Sequence, residues 1–148
     1  MESPVERRLA AIMAADVVGY SAMMERAEEA TFSQIGRLRR DVIEPALARH
    51  KGRLIKTTGD GIFAEFSSPI AAVNCGIDLQ EQLAASAGSI QLRIGINLGD
   101  VIVDEHGDIF GSRPHLVRVC GPFYPRPSCS QTSRTASTNE LARSDFVF

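Results

Sequence analysis

Two aspartates carry the chemistry this sequence suggests. Asp16 stands in Ala15-Asp16-Val17-Val18-Gly19-Tyr20-Ser21, at the end of an apolar run. An unpaired carboxylate is costly to bury there, so its presence asks for a reason. Asp60 stands in Thr58-Gly59-Asp60-Gly61. Asp-Gly is a hairpin signal, and on that dipeptide alone a plain turn is the simpler reading. If the first strand and the hairpin are neighbours in one sheet, the two carboxylates repel unless a cation lies between them. Hard divalent ions such as Mg²⁺ take oxygen ligands of this kind and usually complete their shell with phosphate. Two-metal phosphoryl transfer needs such a pair.

The elements that must position these acids follow from periodicity. Residues 9–20 are short, apolar and rich in Ile and Val toward the end, which predicts a buried strand. Gly19 lets the chain turn out of it, and Ser21 is placed to cap a short helix. Over residues 28–50, Phe32, Ile35, Leu38, Val42, Ile43 and Leu47 recur at helical steps. Pro45 predicts a kink or restart, and Gly52 the helix end. Two short strands, 53–58 and 62–66, flank the Thr58–Gly61 turn. Pro69 opens a helix over 70–86 whose apolar face is predicted from Ile70, Val73, Ile77, Leu79 and Leu83, with Gly88 as its end. Residues 90–98 alternate as a strand, Gly99-Asp100 predicts a turn, and 101–104 a further strand. The order β-α-α-β-β-α-β-β implies an α+β fold: a ferredoxin-like sandwich, an antiparallel-rich sheet with helices packed on it.

Composition sets the class. The 148 residues are 44% hydrophobic and 23% charged, as in a soluble globular chain, with a net charge of −2. That excludes a basic nucleic-acid binder. Cys75, Cys120 and Cys129 show no metal-ligand spacing and no disulfide framework, and they fit a reducing compartment. Arg7-Arg8 precedes an apolar run, but Asp16 interrupts what would be a signal peptide's core. No apolar run reaches membrane-spanning length, so the expectation is a soluble cytoplasmic protein with no membrane segment. The charge is unevenly placed. Residues 1–111 hold 16 acidic and 11 basic side chains, whereas residues 112–148 hold 2 acidic side chains and 5 arginines. The second stretch is also rich in Pro, Ser and Thr, and it predicts no long regular element beyond a short helix near 140–146.

The motifs together resemble one family. The segment 8–21, Lys56-Thr57-Thr58-Gly59-Asp60-Gly61, Arg93-Ile94-Gly95-Ile96-Asn97-Leu98-Gly99-Asp100-Val101 and Asp108-Ile109-Phe110-Gly111 resemble, in order and spacing, the catalytic domain of class III nucleotide cyclases of the bacterial adenylate cyclase type. The resemblance covers residues 7–111 and implies conversion of ATP to 3′,5′-cyclic AMP and pyrophosphate. It implies two ions, Mg²⁺ or Mn²⁺, held by Asp16 and Asp60 with the backbone carbonyl of Val17. Lys56 matches the residue that donates to an adenine ring nitrogen, and Asp108 its partner accepting from the exocyclic amine. Each, taken alone, reads as a solvated lysine or a loop acid. The resemblance also implies a site shared across a homodimer, or a heterodimer with another cyclase domain.

The pattern breaks after Asp108. The family continues into a helix with an Asn and, four residues later, an Arg, both serving the transition state. Positions 115 and 119 hold His115 and Val119 here, and Arg118 is one residue out of register. Loss of an arginine aimed at transferring phosphoryl charge implies impaired turnover. The domain is therefore expected to span 1–111, incomplete at its C-terminal side, with 112–148 an atypical Arg/Ser/Pro-rich tail from a frameshift or, alternatively, a natural regulatory segment. An inactive cyclase-like module that binds nucleotide or dimerises is the alternative function. A diguanylate cyclase lacks support, because no Gly-Gly-Asp/Glu-Glu-Phe signature occurs.

Overall fold

In the computed structural model, residues 6–86, 90–103, 109–111 and 115–119 are described. Strand β1 (Glu6–Val17) is the organising element, because it is paired along both edges. Short helices α1 (Tyr20–Arg26) and α2 (Glu28–Leu38) follow, then a π-helical turn at Arg39–Ile43 and α3 (Glu44–Arg49). Strands β2 (Arg53–Thr58) and β3 (Gly61–Phe66) form a hairpin. Helix α4 (Pro69–Ala85) leads to β4 (Leu92–Val103), β5 (Ile109–Gly111) and β6 (His115–Val119). All pairings are antiparallel, in the order β2-β3-β1-β4-β5. β6 also pairs with β4, so β5 and β6 share the edge of β4 that β1 leaves open. This is the expected α+β architecture with helices on an antiparallel sheet.

Alternation along β1 divides the sheet into two faces. Ala11, Met13, Ala15 and Val17 point to the helices and join Phe66, Ile94, Leu47 and Leu79 in the main core. Ala10 and Ile12 point the other way, into a small cluster with Val101 and Ile55. Asp16 shares this second face.

Several local expectations are corrected. The turn at Gly99-Asp100 does not form. All twelve residues of β4 pair with β1 in unbroken register, and a long partner strand overrides a local turn signal. Ser21 does not cap α1; Gly19 occupies the N-cap with φ 73°. On α4, Leu79 and Leu83 are buried as expected, but Ile70 and Ile77 are exposed, and Ala72, Cys75, Gly76 and Gln80 complete the buried face. Small residues let that face sit close to the sheet. Phe32 is exposed too, while Thr31 is buried and donates to the Met23 carbonyl at 3.0 Å.

Pro45 lies in the first turn of α3. Having no N–H for the carbonyl four residues back, and a ring that crowds it, proline displaces the regular ladder. The helix widens just before it, and the Glu44 N–H reaches back to Arg39. The helix end at Gly52 is also corrected. The left-handed residue is Lys51 (φ 57°). Gly52 donates to Leu47 at 2.8 Å and Lys51 to Ala48 at 3.3 Å, a Schellman closure. Gly52 is small for another reason: a Cβ there would lie 2.6 Å from the buried Phe66 ring.

Residues 115–119, where no regular element was expected, form β6. Leu116, Val117 and Val119 supply β-forming side-chain types. Gly88, Asp108 and the helix expected near 140–146 lie outside the described residues. Among the described residues, no helix is long and apolar enough to cross a membrane.

Candidate active site at one end of the sheet

Asp16 is the penultimate residue of β1, is buried, and sits directly opposite Arg93 of β4. Arg93 donates from Nε to Oδ1 at 2.8 Å and from Nη2 to Oδ2 at 2.6 Å. This two-pronged contact is the strong geometry for a guanidinium and a carboxylate, and it resolves the cost of placing an acid in an apolar strand. The backbone beside Arg93 is anchored: Gln80 of α4, itself buried, donates to the carbonyl of neighbouring Leu92 at 2.9 Å.

Asp60 arrives at the same end of the sheet. β1 and β3 pair through Ala15↔Ile62. Continuing that register sets Asp16 level with Gly61 and Val17 level with Asp60. Gly59 and Asp60 form the two-residue turn, with the left-handed position at Gly59 (φ 27°) rather than at an Asp-Gly centre. A Cβ on Gly59 would lie 3.7 Å from the Tyr20 hydroxyl, so the tip rests against the chain leaving β1. The Val18 N–H donates to Gln91 at 2.9 Å. Alternation in an antiparallel ladder then turns the N–H and C=O of Val17 away from β4, toward the β3 side.

Lys56 reaches this face through a bulge. Leu54 pairs with Ala64 but Lys56 with Phe63, so Ile55 is the extra residue. Without it the strand would slip by one and Lys56 would turn to the helix side. Lys56 is exposed, two strands from β1, about 10 Å across the sheet. Its row continues through Phe63, Ala14 and Gly95, and the Asp16 row through Thr58, Gly61 and Arg93.

Asp108 lies outside the described residues. Ile109, next in the chain, pairs with Val103, ten residues along β4 from Arg93, or about 33 Å. Positions 115 and 119 pair with Leu98 and Ile94 in a strand, not a helix.

No protein-family model matches the chain. Over 113 residues it is 45% identical to a Rhizobium meliloti (strain 1021) protein provisionally named adenylate cyclase 3, covering 72% of this chain and 19% of that one. It is 30% identical over 142 residues to an adenylate cyclase of Streptomyces coelicolor, covering 96% of this chain and 36% of that one. A solved adenylate/guanylate cyclase/hydrolase from Silicibacter pomeroyi superposes with a TM-score of 0.64 at 43% identity, over 74% of this chain and 66% of that chain. The chain belongs to the class III nucleotide cyclase catalytic-domain family. It spans about a fifth and just over a third of the two curated relatives.

In this cyclase domain the donor set fits a hard divalent cation. Asp16, Val17 and Asp60 lie at one end of the sheet, and oxygen is the ligand such ions take. Among the described residues, no three His, Cys, Asp or Glu side chains cluster as a ready cage. The residue that sequence reasoning missed is Arg93. Its signal was visible only as a charge within the apolar-rich first half of β4, matching the misplaced acid of β1. A second missed group is Glu65, buried on the same face, with Arg53 donating to Oε2 at 2.6 Å and Arg8 lying 2.6 Å from Oε1.

Proposed function

We propose that the chain is an adenylate cyclase-type domain that converts ATP to 3′,5′-cyclic AMP and pyrophosphate. The observation that carries this reading is that Asp16 and the turn bearing Asp60 lie at the same end of the sheet, in a chain 45% identical to a protein named as an adenylate cyclase. Asp16, Asp60 and the Val17 carbonyl would hold two ions, Mg²⁺ or Mn²⁺. When bound, such ions neutralise the triphosphate and acidify the ribose 3′-hydroxyl. The 3′-oxygen attacks the α-phosphorus in line, the bond from that phosphorus to the bridging oxygen breaks, and pyrophosphate leaves. Catalysis of this kind is mainly positioning and charge stabilisation.

Lys56 donates to an adenine ring nitrogen, and Asp108 accepts from the exocyclic amine. Guanine carries a carbonyl oxygen where adenine has that amine, so an aspartate there disfavours GTP. The resemblance implies that the site is completed by a second chain, in a homodimer or with another cyclase domain.

A second reading, an inactive module that binds nucleotide or dimerises, is favoured by one observation. His115 and Val119 stand on a strand where the family resemblance asks for an Asn and an Arg on a helix. One assay separates the two. Purified chain with ATP and Mn²⁺ is scored for cyclic AMP. Turnover that disappears in Asp60→Ala supports the enzyme; metal-dependent ATP binding by calorimetry without turnover supports the module.

A further inference from the structure

We propose that Arg93 is a built-in competitor of the metal at Asp16, so that cation binding must break the Arg93–Asp16 pair. The inference rests on the reading of Asp16 as a metal ligand. The two donor atoms of Arg93 engage both carboxylate oxygens, at 2.8 and 2.6 Å. That fork takes the same lone pairs a chelating cation would take. Guanidinium and divalent ion are therefore alternatives at one carboxylate.

The mobile partner of the pair is defined by exposure. The Asp16 side chain is 11% exposed on a strand paired at both edges, whereas that of Arg93 is 37% exposed. Competition therefore requires the more exposed Arg93 side chain to leave the carboxylate, while Asp16 stays where β1 holds it. The neighbour of Arg93 on the same face of β4 is Gly95, set opposite Ala14. In the metal-free chain Arg93 supplies the positive charge that keeps a buried carboxylate tolerable. The pair thus sets a threshold: a cation binds only when it outbids an intramolecular ligand, and the chain's affinity for the ion is lower than its oxygen ligands alone would give.

The test titrates the full chain with Mn²⁺ alone and reads free Mn²⁺ by electron paramagnetic resonance, with circular dichroism confirming the fold. Arg93→Gln is expected to bind Mn²⁺ roughly tenfold more tightly, since a charge-assisted hydrogen-bonded partner has been removed. Its metal-free thermal midpoint is expected to fall, and the rise on adding Mn²⁺ to exceed that of the parent chain. Asp16→Asn is expected to lose the binding. Unchanged or weaker Mn²⁺ binding in folded Arg93→Gln, with binding lost in Asp16→Asn, overturns the competition and leaves the metal reading standing. Undiminished binding in Asp16→Asn overturns both. If Arg93→Gln does not fold, Arg93→Lys decides: it keeps the charge but breaks the fork, so a gain of roughly threefold supports the proposal and no gain overturns it.

Discussion

Arg93 faces Asp16 squarely across the β1–β4 ladder, although 77 positions separate them in the chain. Asp60, offered the same chemical role, sits at a turn with no such partner in the described set of hydrogen bonds and ion pairs. The two acids should therefore differ in stability. Asp16→Ala removes the buried half of a charge-assisted pair and should cost about 1–3 kcal/mol. Asp60→Ala should stay within about 0.5 kcal/mol. Urea unfolding of both variants measures the difference; equal losses would show that the Arg93 pair adds nothing to the fold.

The end of α3 offers a pair of opposite effects. Lys51 adopts a left-handed conformation that side chains disfavour by about 1 kcal/mol. Lys51→Gly should raise the stability by up to that amount. Gly52→Ala next to it should lower it by about 1–3 kcal/mol, because the new methyl meets the buried Phe66 ring. Thermal midpoints moving in the same direction would contradict this assignment of the two positions.

The α3–α4 contact should set both edges of the pH-stability profile. Burial pushes the Asp78 carboxyl up, but hydrogen bonds from Arg49, Gln82 and His50 outweigh it and hold the group below its usual range. Its contribution is present above the ordinary carboxylate pKa and is lost as pH falls through the folded value. Burial, with Asp78 adding to it, pushes the Cys75 thiol from 9.0 up to about 11. That contribution is complete below pH 9 and is lost as pH rises toward 11. Asp78→Asn should flatten the acid limb of a melting-temperature profile. In a chain with Cys120 and Cys129 changed to Ser, Cys75 should resist a thiol reagent at pH 8 until the protein unfolds.

Local chemistry made much of this legible. The apolar run ending in Asp16 reads as a strand because burial of both faces needs no long-range information. The Thr58–Gly61 turn, the start of α4 at Pro69, and the disruption at Pro45 all follow from backbone preferences of single residues. The face of α4 was less legible. Ile70 and Ile77 keep helical spacing as well as the buried residues do, and only the sheet beneath decides which stripe is covered.

What the sequence alone determined, then, is the order of elements, the positions of the acids and the family they point to, because period and turn chemistry act over a few residues. What the tertiary structure decided is partnership. β4 runs unbroken because twelve residues of β1 pair with it, Lys56 faces the Asp16 side because Ile55 bulges, and Arg93 meets Asp16 because register is fixed by packing across the sheet. Register is a long-range property, since a slip of one residue would turn every one of these side chains to the other face.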